Sequence, residues 1–506
     1  MPKRLTLFLL LPVVLISYWS SAQNVNDVNQ FLNTSLNGTA RFNGMAGAFG
    51  ALGGDITAIS TNPAGSSVFL HSEFGGTLSF ANNALKANYF GTSNTSENRD
   101  LNLEQAGIVF VFNNTDPDGA WTRVSTAINS FRVYNFDEKA TVEGSAPRGI
   151  DQYFVHYAEG LPFKNLPLYD GETIEEVYTY LGESNGFAAQ QAFLGYQSYI
   201  INSLSFDDDN TGYSSNVFYD RVNHQLNLIN SGKHRKTTFN VSGLYKNRLH
   251  IGANINYHKL DYTQNHRLKE NEQDPSSPVY NIEFENELLS YGDGYSAQLG
   301  FILKLTSLRL GFTYDSPQWL TLFDETRQSV SAYHIEEGLI VNEKIAPNTT
   351  NIYTAYQVQL PSKTTISGAY ILGSKGLLSV DYSYQNTAQT RLSMPGGSAY
   401  LDALTDEIGN VNQPQHTLRF GGEYRFSGIS VRGGYMEKNA PLKNNALQTS
   451  AFTFGIGFDF GVSSLNLSLV QLEHNQKFTL YSEGLTSPYT LSNQSTKVSL
   501  SYSLKL

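Results

Sequence analysis

The sequence predicts an all-β protein: a transmembrane antiparallel β-barrel of about fourteen strands with an amino-terminal plug in its lumen. Strict alternation of apolar and polar residues is the main signal from Lys236 onward. Short and long connections also alternate between the predicted strands, without exception. The composition is rich in tyrosine (31), phenylalanine (30) and glycine (43), a mixture that favours β-structure.

Residues 1–22 are predicted to be a secretory signal peptide. Lys3 and Arg4 precede an apolar run from Leu5 to Ile16, and small residues lead to a cleavage site after Ala22. The run of about a dozen residues is too short to span a membrane as a helix. Together with a barrel, an export signal predicts the outer membrane of a Gram-negative cell.

The alternation has a strongly apolar side on nearly every strand. In "AFTFGIGFDF" (451–460), Phe452, Phe454 and Phe458 point one way, while Thr453 and Asp459 point the other. A soluble β-sandwich also alternates, and it is the competing interpretation. Its outer face rarely stays aromatic on strand after strand, so the pattern favours a barrel with its apolar face toward lipid and its polar face toward a lumen.

Connection lengths predict which end of the barrel faces the periplasm. Six short turns define about twelve strands, and a first strand near 73–90 and a last one at 493–506 bring the number to about fourteen. We expect the short turns and both termini at the periplasmic end. The short turns lie at 113–120, near 247, and at 306–307, 373–376, 427–428 and 461–464. The long connections are 136–235, 262–293, 316–363, 387–415, 438–449 and 475–492.

The connection 136–235 is predicted to be a long outer loop with helices. Its segment "FAAQQAFLGYQSYIINSL" (187–204) places Phe193, Tyr196, Ile200 and Leu204 on one helical face. These four are candidate substrate-binding residues in a capture groove over the barrel mouth. A helical cap that packs the same face onto neighbouring loops is the equally weighted alternative.

Residues 23–72 precede the barrel (73–506) and do not alternate, so we expect them to form the plug. A barrel of about fourteen strands would conduct water unless its lumen were filled. Small residues let a backbone pass close to inward-facing groups, and Pro63 restricts Asn62 to extended conformations. The candidate gate residues are Arg41, Gly44, Gly47, Gly50, Gly53, Gly54, Asp55, Asn62, Pro63 and Ala64.

The plug also carries a family resemblance. "GTARFNGMAGAFGALGGDITAISTNPAG" (38–65) resembles the amino-terminal hatch of the FadL-type transporters of long-chain fatty acids and hydrocarbons, including TodX-like proteins. Asn62-Pro63-Ala64 stands where that family has its NPA motif, and "LPSKTTISGAY" (360–370) and "HTLRFGGEYRF" (416–426) follow in the family's order. The spacer from Arg41 to Asn62 is longer than in the fatty-acid members, so the substrate is not carried over.

The resemblance implies a transport mechanism. Hydrophobic compounds, such as fatty acids or aromatic hydrocarbons, would be captured at the outer loops, pass a moving hatch, and leave sideways into outer-membrane lipid. In that family a kink in the third strand makes the lateral opening. Here "TAINSFRVYN" (126–135) interrupts the alternation, which makes Asn129 and Asn135 the candidate lateral-opening residues. Insertion would require the barrel-assembly machinery.

Composition and motifs argue against several other functions. The net charge of −11 disfavours a nucleic-acid partner. Because the chain has neither cysteine nor a HExxH, P-loop or G-x-S-x-G motif, we expect no metal, no cofactor and no enzymatic activity. Two alternatives remain: a barrel of this kind acting as an interaction protein, either a shuttle for secreted proteins or an adhesin, and an open diffusion porin.

Overall fold

The structure, a computed structural model, describes residues 24–506 except 117, 272, 337 and 444–447. The predicted signal peptide, residues 1–22, lies outside the described residues. Within these ranges no helix has the length and apolar character needed to cross a membrane.

Strands dominate the described chain, and the helices lie at its amino terminus and in two long connections. The strands are β1 Glu73–Tyr89, β2 Thr92–Asn113, β3 Trp121–Asn135, β4 Glu138–Ala146, β5 Ile201–Ser203, β6 Tyr213–Ser215, β7 Val222–Tyr245, β8 Leu249–Asn271, β9 Val279–Leu305, β10 Leu308–Asp315, β11 Gln318–Glu336, β12 Leu339–Ile345, β13 Asn351–Ile352, β14 Tyr356–Leu360, β15 Lys363–Leu372, β16 Gly376–Asn386, β17 Arg391–Ser393, β18 Pro414–Phe426, β19 Ile429–Asn439, β20 Gln448–Asp459, β21 Ser463–Thr479 and β22 Pro488–Lys505. The α-helices are α1 Val25–Gln30, α2 Ala40–Asn43, α3 Asp151–Ala158, α4 Ile174–Ser184, α5 Phe187–Gln197 and α6 Ala399–Val411. Short 3₁₀ helices span Thr57–Ser60, Pro63–Val68, Phe163–Asn165 and Thr387–Gln389.

The main sheet closes into an antiparallel barrel of 14 strands, which confirms the predicted fold class. β1 pairs with β22 from Glu73–Lys505 to Asn88–Thr490, so the sheet has no open edge at the join of its first and last strands. Three barrel strands are each built from two segments: β3 with β4, β10 with β11, and β14 with β15.

The two faces of the barrel wall differ as predicted. Phe452 and Phe454 point outward with 67% and 53% of their surface exposed. On β8, His250, Asn254 and His258 are buried toward the lumen. An apolar exterior around a polar interior is the arrangement that lipid outside a barrel requires.

Several barrel strands extend well past the predicted boundaries, at the end opposite the short turns. β9 runs for 27 residues, although residues 262–293 were predicted to be a loop. Glu138–Ala146 and the first part of β7 are likewise paired strands inside the range 136–235. The outward faces there are charged, with Arg267 between Glu283 and Glu285, and so lack the apolar side that revealed the other strands.

The helices between β4 and β7 form a cap over this extended end. α3 and α5 pack against each other, and the buried side chains of Phe154, Phe193 and Leu194 join Phe284 of β9 in one apolar cluster. α4 begins at a capping box in which Thr173 and Glu176 bond each other's backbone amides. α6 covers another part of the same end and contacts α1.

Candidate functional site

The plug, residues 24–72, lies inside the barrel, and the Asn62-Pro63-Ala64 step anchors it to the wall. The Asn62 side chain donates to the carbonyls of Gly50, at 2.7 Å, and of Phe301 on β9, at 3.1 Å. Its Oδ1 accepts from the amide of Ala64 at 3.1 Å and caps the 3₁₀ helix that Pro63 begins. One buried side chain therefore joins two parts of the plug to the wall.

The wall leaves room for this step with two glycines of its own. A Cβ at Gly252 of β8 would overlap the backbone of Pro63 and Ala64, and a Cβ at Gly300 of β9 would overlap Asn62. The Pro63 carbonyl also accepts a 2.9 Å hydrogen bond from Asn240 of β7. The plug backbone thus lies directly against the wall at these two glycines. A side chain at either position would push the plug away from the wall.

The glycines predicted to belong to the gate occupy two kinds of position. Gly50 and Gly44 approach the wall closely: the Gly50 amide donates to Asp381 at 2.9 Å, and Gly44 faces Gly455 of β20. Gly47, Gly53 and Gly54 instead have φ values of +74°, +61° and +64°, which favour glycine within the plug itself.

An ion-pair cluster joins the plug to the wall near the short-turn end. Arg41 Nε donates to Glu423 Oε2 of β18 at 2.9 Å, and Arg41 Nη1 donates to the Gly54 carbonyl at 2.8 Å. Arg432 and Arg425 bind the same carboxylate at 2.6 Å each. Asp55 accepts from Thr39 Oγ1 and the amide of Thr57 and so shapes the plug beside Arg41. Glu423 is therefore the central anion of the cluster.

Beyond the plug, at the capped end, lies a cavity of about 570 Å³. Most of its lining residues carry an aromatic ring, an amide or a carboxyl group. Its lining includes residues of α1, α5, α6, the barrel wall and the connection before β22. The lining side chains include Asn24, Asp27, Tyr134, Glu138, Tyr153, Tyr157, His266, Asn286, Tyr400, Ala403, Glu407, Tyr481, Glu483 and Tyr489.

Asp27 of α1 is the buried carboxyl group of this cavity. One of its oxygens accepts from the Asn24 amide at 3.2 Å, which completes the capping box of α1. Burial raises the pKa of this carboxyl group to about 7, and the neighbouring charge of Asp324 acts in the same direction. The other titratable groups facing it are the phenols of Tyr262, Tyr356 and Tyr400.

The four candidate substrate-binding residues do not line this cavity, so the predicted capture groove is corrected. Phe193 and Ile200 are completely buried in the core of the cap, and Tyr196 packs edge-on against Phe163. Leu204 is 68% exposed on the cap surface. Phe193 and Tyr196 of α5 thus pack onto neighbouring segments, and Ile200 and Leu204 do not share their helical face because α5 ends at Gln197.

The wall around Asn129 is closed, which corrects the first candidate lateral-opening residue. Asn129 is buried, pairs with Gly107 of β2 and Thr238 of β7, and accepts from Gln105 Nε2 at 2.9 Å. The interruption of alternation at this position comes from polar side chains turned into the lumen. It does not come from a break in backbone pairing.

The pairing of β2 with β3 stops a little farther along the strand. Its last pair is Gln105 with Phe131, next to a bulge in β2 at Glu104. β3 becomes irregular between Arg132 and Tyr134, and the Val133 carbonyl accepts from the Ser35 amide of the plug at 2.9 Å. Beyond that point the described residues of β2 pair with β1 alone.

Backbone pairing is therefore absent between residues 92–104 and residues 132–146, and we call this unpaired stretch of the wall the β2–β3 slit. Side chains bridge it: Asn135 donates to Asp100 at 3.1 Å, and Arg132 donates to Glu104 at 2.9 Å. Leu101 and Leu103 are 73% and 54% exposed on its outer rim, which puts this end of the slit at the level of the apolar band. Asn135, the second candidate, pairs with Lys233 of β7 and lies in the part of β3 that does not pair with β2.

A side pocket of about 110 Å³ adjoins both the slit and the cavity. Asp100, Arg132 and Asn135 line it at the slit, while Tyr134 and Glu138 line both it and the larger cavity. Residues 33–37 of the plug also line the side pocket. Sequence reasoning missed both spaces, because their walls come from distant segments that no local pattern connects.

Comparison with known proteins shows the fold. No family model matches the sequence, and no curated protein does either. The crystal structure of a Pseudomonas aeruginosa FadL homologue matches with a TM-score of 0.55 at 11% identity, over 93% of this chain and 99% of that chain. The P. putida toluene transporter TodX matches with a TM-score of 0.50 at 14% identity, over 93% and 99%.

The closed barrel and its interior segment define a plugged β-barrel of the membrane-spanning class. Within that class the chain has the FadL-type fold, shared with the FadL homologue and TodX. The resemblance drawn from residues 38–65 is confirmed at the level of fold.

Proposed function

We propose that this protein is an outer-membrane channel, and not an enzyme, through which hydrophobic small molecules enter the cell. The observation that carries the proposal is the adjacency of the cavity and the side pocket at the β2–β3 slit, which share Tyr134 and Glu138 as lining residues. Structural neighbours titled a FadL homologue and a toluene transporter support it.

In this mechanism the capped end faces outward, because short turns of outer-membrane barrels lie on the periplasmic side. A compound enters the cavity, passes the segment around Ser35 and Asn37, and leaves through the slit into lipid. Lateral exit spares an apolar molecule the passage through periplasmic water. Ser35 and Asn37 occupy the carbonyls of Val133 and Arg132, so a movement of this segment would widen the slit.

The experiment is saturable binding of a neutral aromatic probe, pyrene, to the protein in nanodiscs, with empty nanodiscs as the blank. Ala403→Trp fills the cavity from α6 and should abolish the saturable component. Ala399→Trp makes the same change on α6 at an exposed position outside the cavity and should leave it intact. Absence of saturable binding by the unmodified protein, or equal binding by both variants, would refute the proposal.

A further inference from the structure

The cavity has a one-sided charge composition. Its described lining contains four carboxyl groups, from Asp27, Glu138, Glu407 and Glu483, and neither lysine nor arginine. His266 is the one basic side chain among those lining residues. Glu483 faces His156 at 3.5 Å outside the cavity. An anion that entered would meet carboxyl groups and find no permanent positive charge.

Other pockets of the lumen contain lysine and arginine, so the acidic lining is a property of the cavity and not of the whole lumen. The side pocket contains Arg132, Lys438 and Lys497. The pocket at the short-turn end contains Arg41 and Arg432 together with further cationic groups. The positive side chains of these two pockets therefore lie outside the cavity.

Two of the acids are available to a ligand. No described cationic residue forms an ion pair with Asp27 or with Glu138, although both line the cavity. Aromatic rings surround the same space and offer negative faces to a cation. The tyrosines that line it are Tyr134, Tyr153, Tyr157, Tyr400, Tyr481 and Tyr489.

We propose that the cavity selects amphipathic organic cations, an ammonium group on an aromatic or aliphatic skeleton, over carboxylates of the same skeleton. This rests on the proposed function and names the ligand class of its cavity. An ammonium gains a carboxylate partner and ring faces in a desolvated site. A carboxylate loses its hydration beside other acids and gains no cationic partner.

The test compares three probes with one phenylbutyl skeleton that ends in an amine, an alcohol or a carboxylate. Binding is measured by calorimetry at pH 8 on the protein in nanodiscs, with empty nanodiscs as the blank. We expect the amine to bind about tenfold more tightly than the alcohol, and the alcohol more tightly than the carboxylate. In an Asp27→Asn, Glu138→Gln double variant, the amine should fall to the level of the alcohol, whose affinity stays unchanged.

A variant that adds a positive charge to the cavity supplies the reciprocal test. Asn286→Lys adds an ammonium to the cavity lining and should raise carboxylate affinity, whereas Asn410→Lys makes the same change on an exposed part of α6 and should not. Heat-modifiable migration on gels verifies that each barrel is folded. A carboxylate that binds as tightly as the amine, or an amine no tighter than the alcohol, would overturn the inference while the proposed function stands. Failure of all three probes and of pyrene would overturn the proposed function, and this inference with it.

Discussion

The ion-pair cluster at Glu423 makes an asymmetric prediction about how the plug is held. Arg41→Gln and Glu423→Gln each remove one charge from the same contact between plug and wall. If the contact acts through charge, the wall variant should loosen the plug far more than the plug variant. The reason is that the two substitutions leave different numbers of charged groups without an ion-pair partner.

The structure gives the magnitudes. Arg41→Gln removes two hydrogen bonds to Glu423 and one to Gly54, but Glu423 keeps Arg432 and Arg425. The net loss for such charged hydrogen bonds is about 1.5–3 kcal/mol. Glu423→Gln leaves Arg41 and Arg432 close together without their shared anion, with side-chain exposures of only 20% and 5%. Breaking a buried pair in this way costs about 3–5 kcal/mol.

The absence of cysteine from the chain makes the assay simple. A single Ala48→Cys substitution places a thiol at a fully buried plug position, where a maleimide reacts only after local opening. At about 1.4 kcal/mol per factor of ten, Arg41→Gln should accelerate labelling by about 10- to 100-fold, and Glu423→Gln by at least about 100-fold. Equal acceleration by the two variants, or a larger effect of Arg41→Gln, would refute this account of the cluster.

Three further predictions follow from the plug and the cavity. Gly300→Ala should displace Asn62 and speed labelling of the Ala48→Cys thiol. Gly368→Ala should not, because its Cβ would meet Val380 only at 3.9 Å. Equal labelling of the two variants would contradict the contact between Gly300 and Asn62. Amine affinity should rise by up to about tenfold as pH increases from about 6 to about 8, because the raised pKa of Asp27 leaves its carboxyl group neutral below that range. An affinity that does not change with pH would contradict a role for Asp27 in binding the amine. Deletion of residues 24–65 should give steady ion conductance in planar bilayers, where the intact chain conducts almost none; an intact chain that conducts steadily would indicate a porin.

Much of the fold could be predicted from local alternation. "AFTFGIGFDF" reveals β20 because lipid demands an apolar face along its whole length. The same signal fails for the far ends of β8 and β9, where charged pairs such as Arg267 with Glu285 cover the outer face. These segments lack the apolar side because they extend beyond the apolar band. The strand number survives this error, because the turns at the other end are short and clear.

Residues of the candidate site could be predicted only where they lie together in one continuous segment of the sequence. The Asn62-Pro63-Ala64 step is a local motif and lies at the wall, whereas its partners Gly252 and Gly300 look like ordinary strand glycines in the sequence. Helical periodicity identified the apolar face with Phe193 but could not tell what covers it. Backbone pairing at Asn129 is likewise invisible, since polar lumen side chains interrupt alternation just as a bulge does.

The route through the β2–β3 slit is tested most directly by closing it. Asp100→Cys with Asn135→Cys, joined by a short bismaleimide, ties the two sides of the slit together. Ala106→Cys with Ser130→Cys makes the same tie across backbone that is already paired. The measurement is uptake of pyrene by cells that express each cross-linked barrel. We predict that the first tie abolishes uptake and the second leaves it unchanged; uptake that persists with the slit closed would contradict lateral exit at this place.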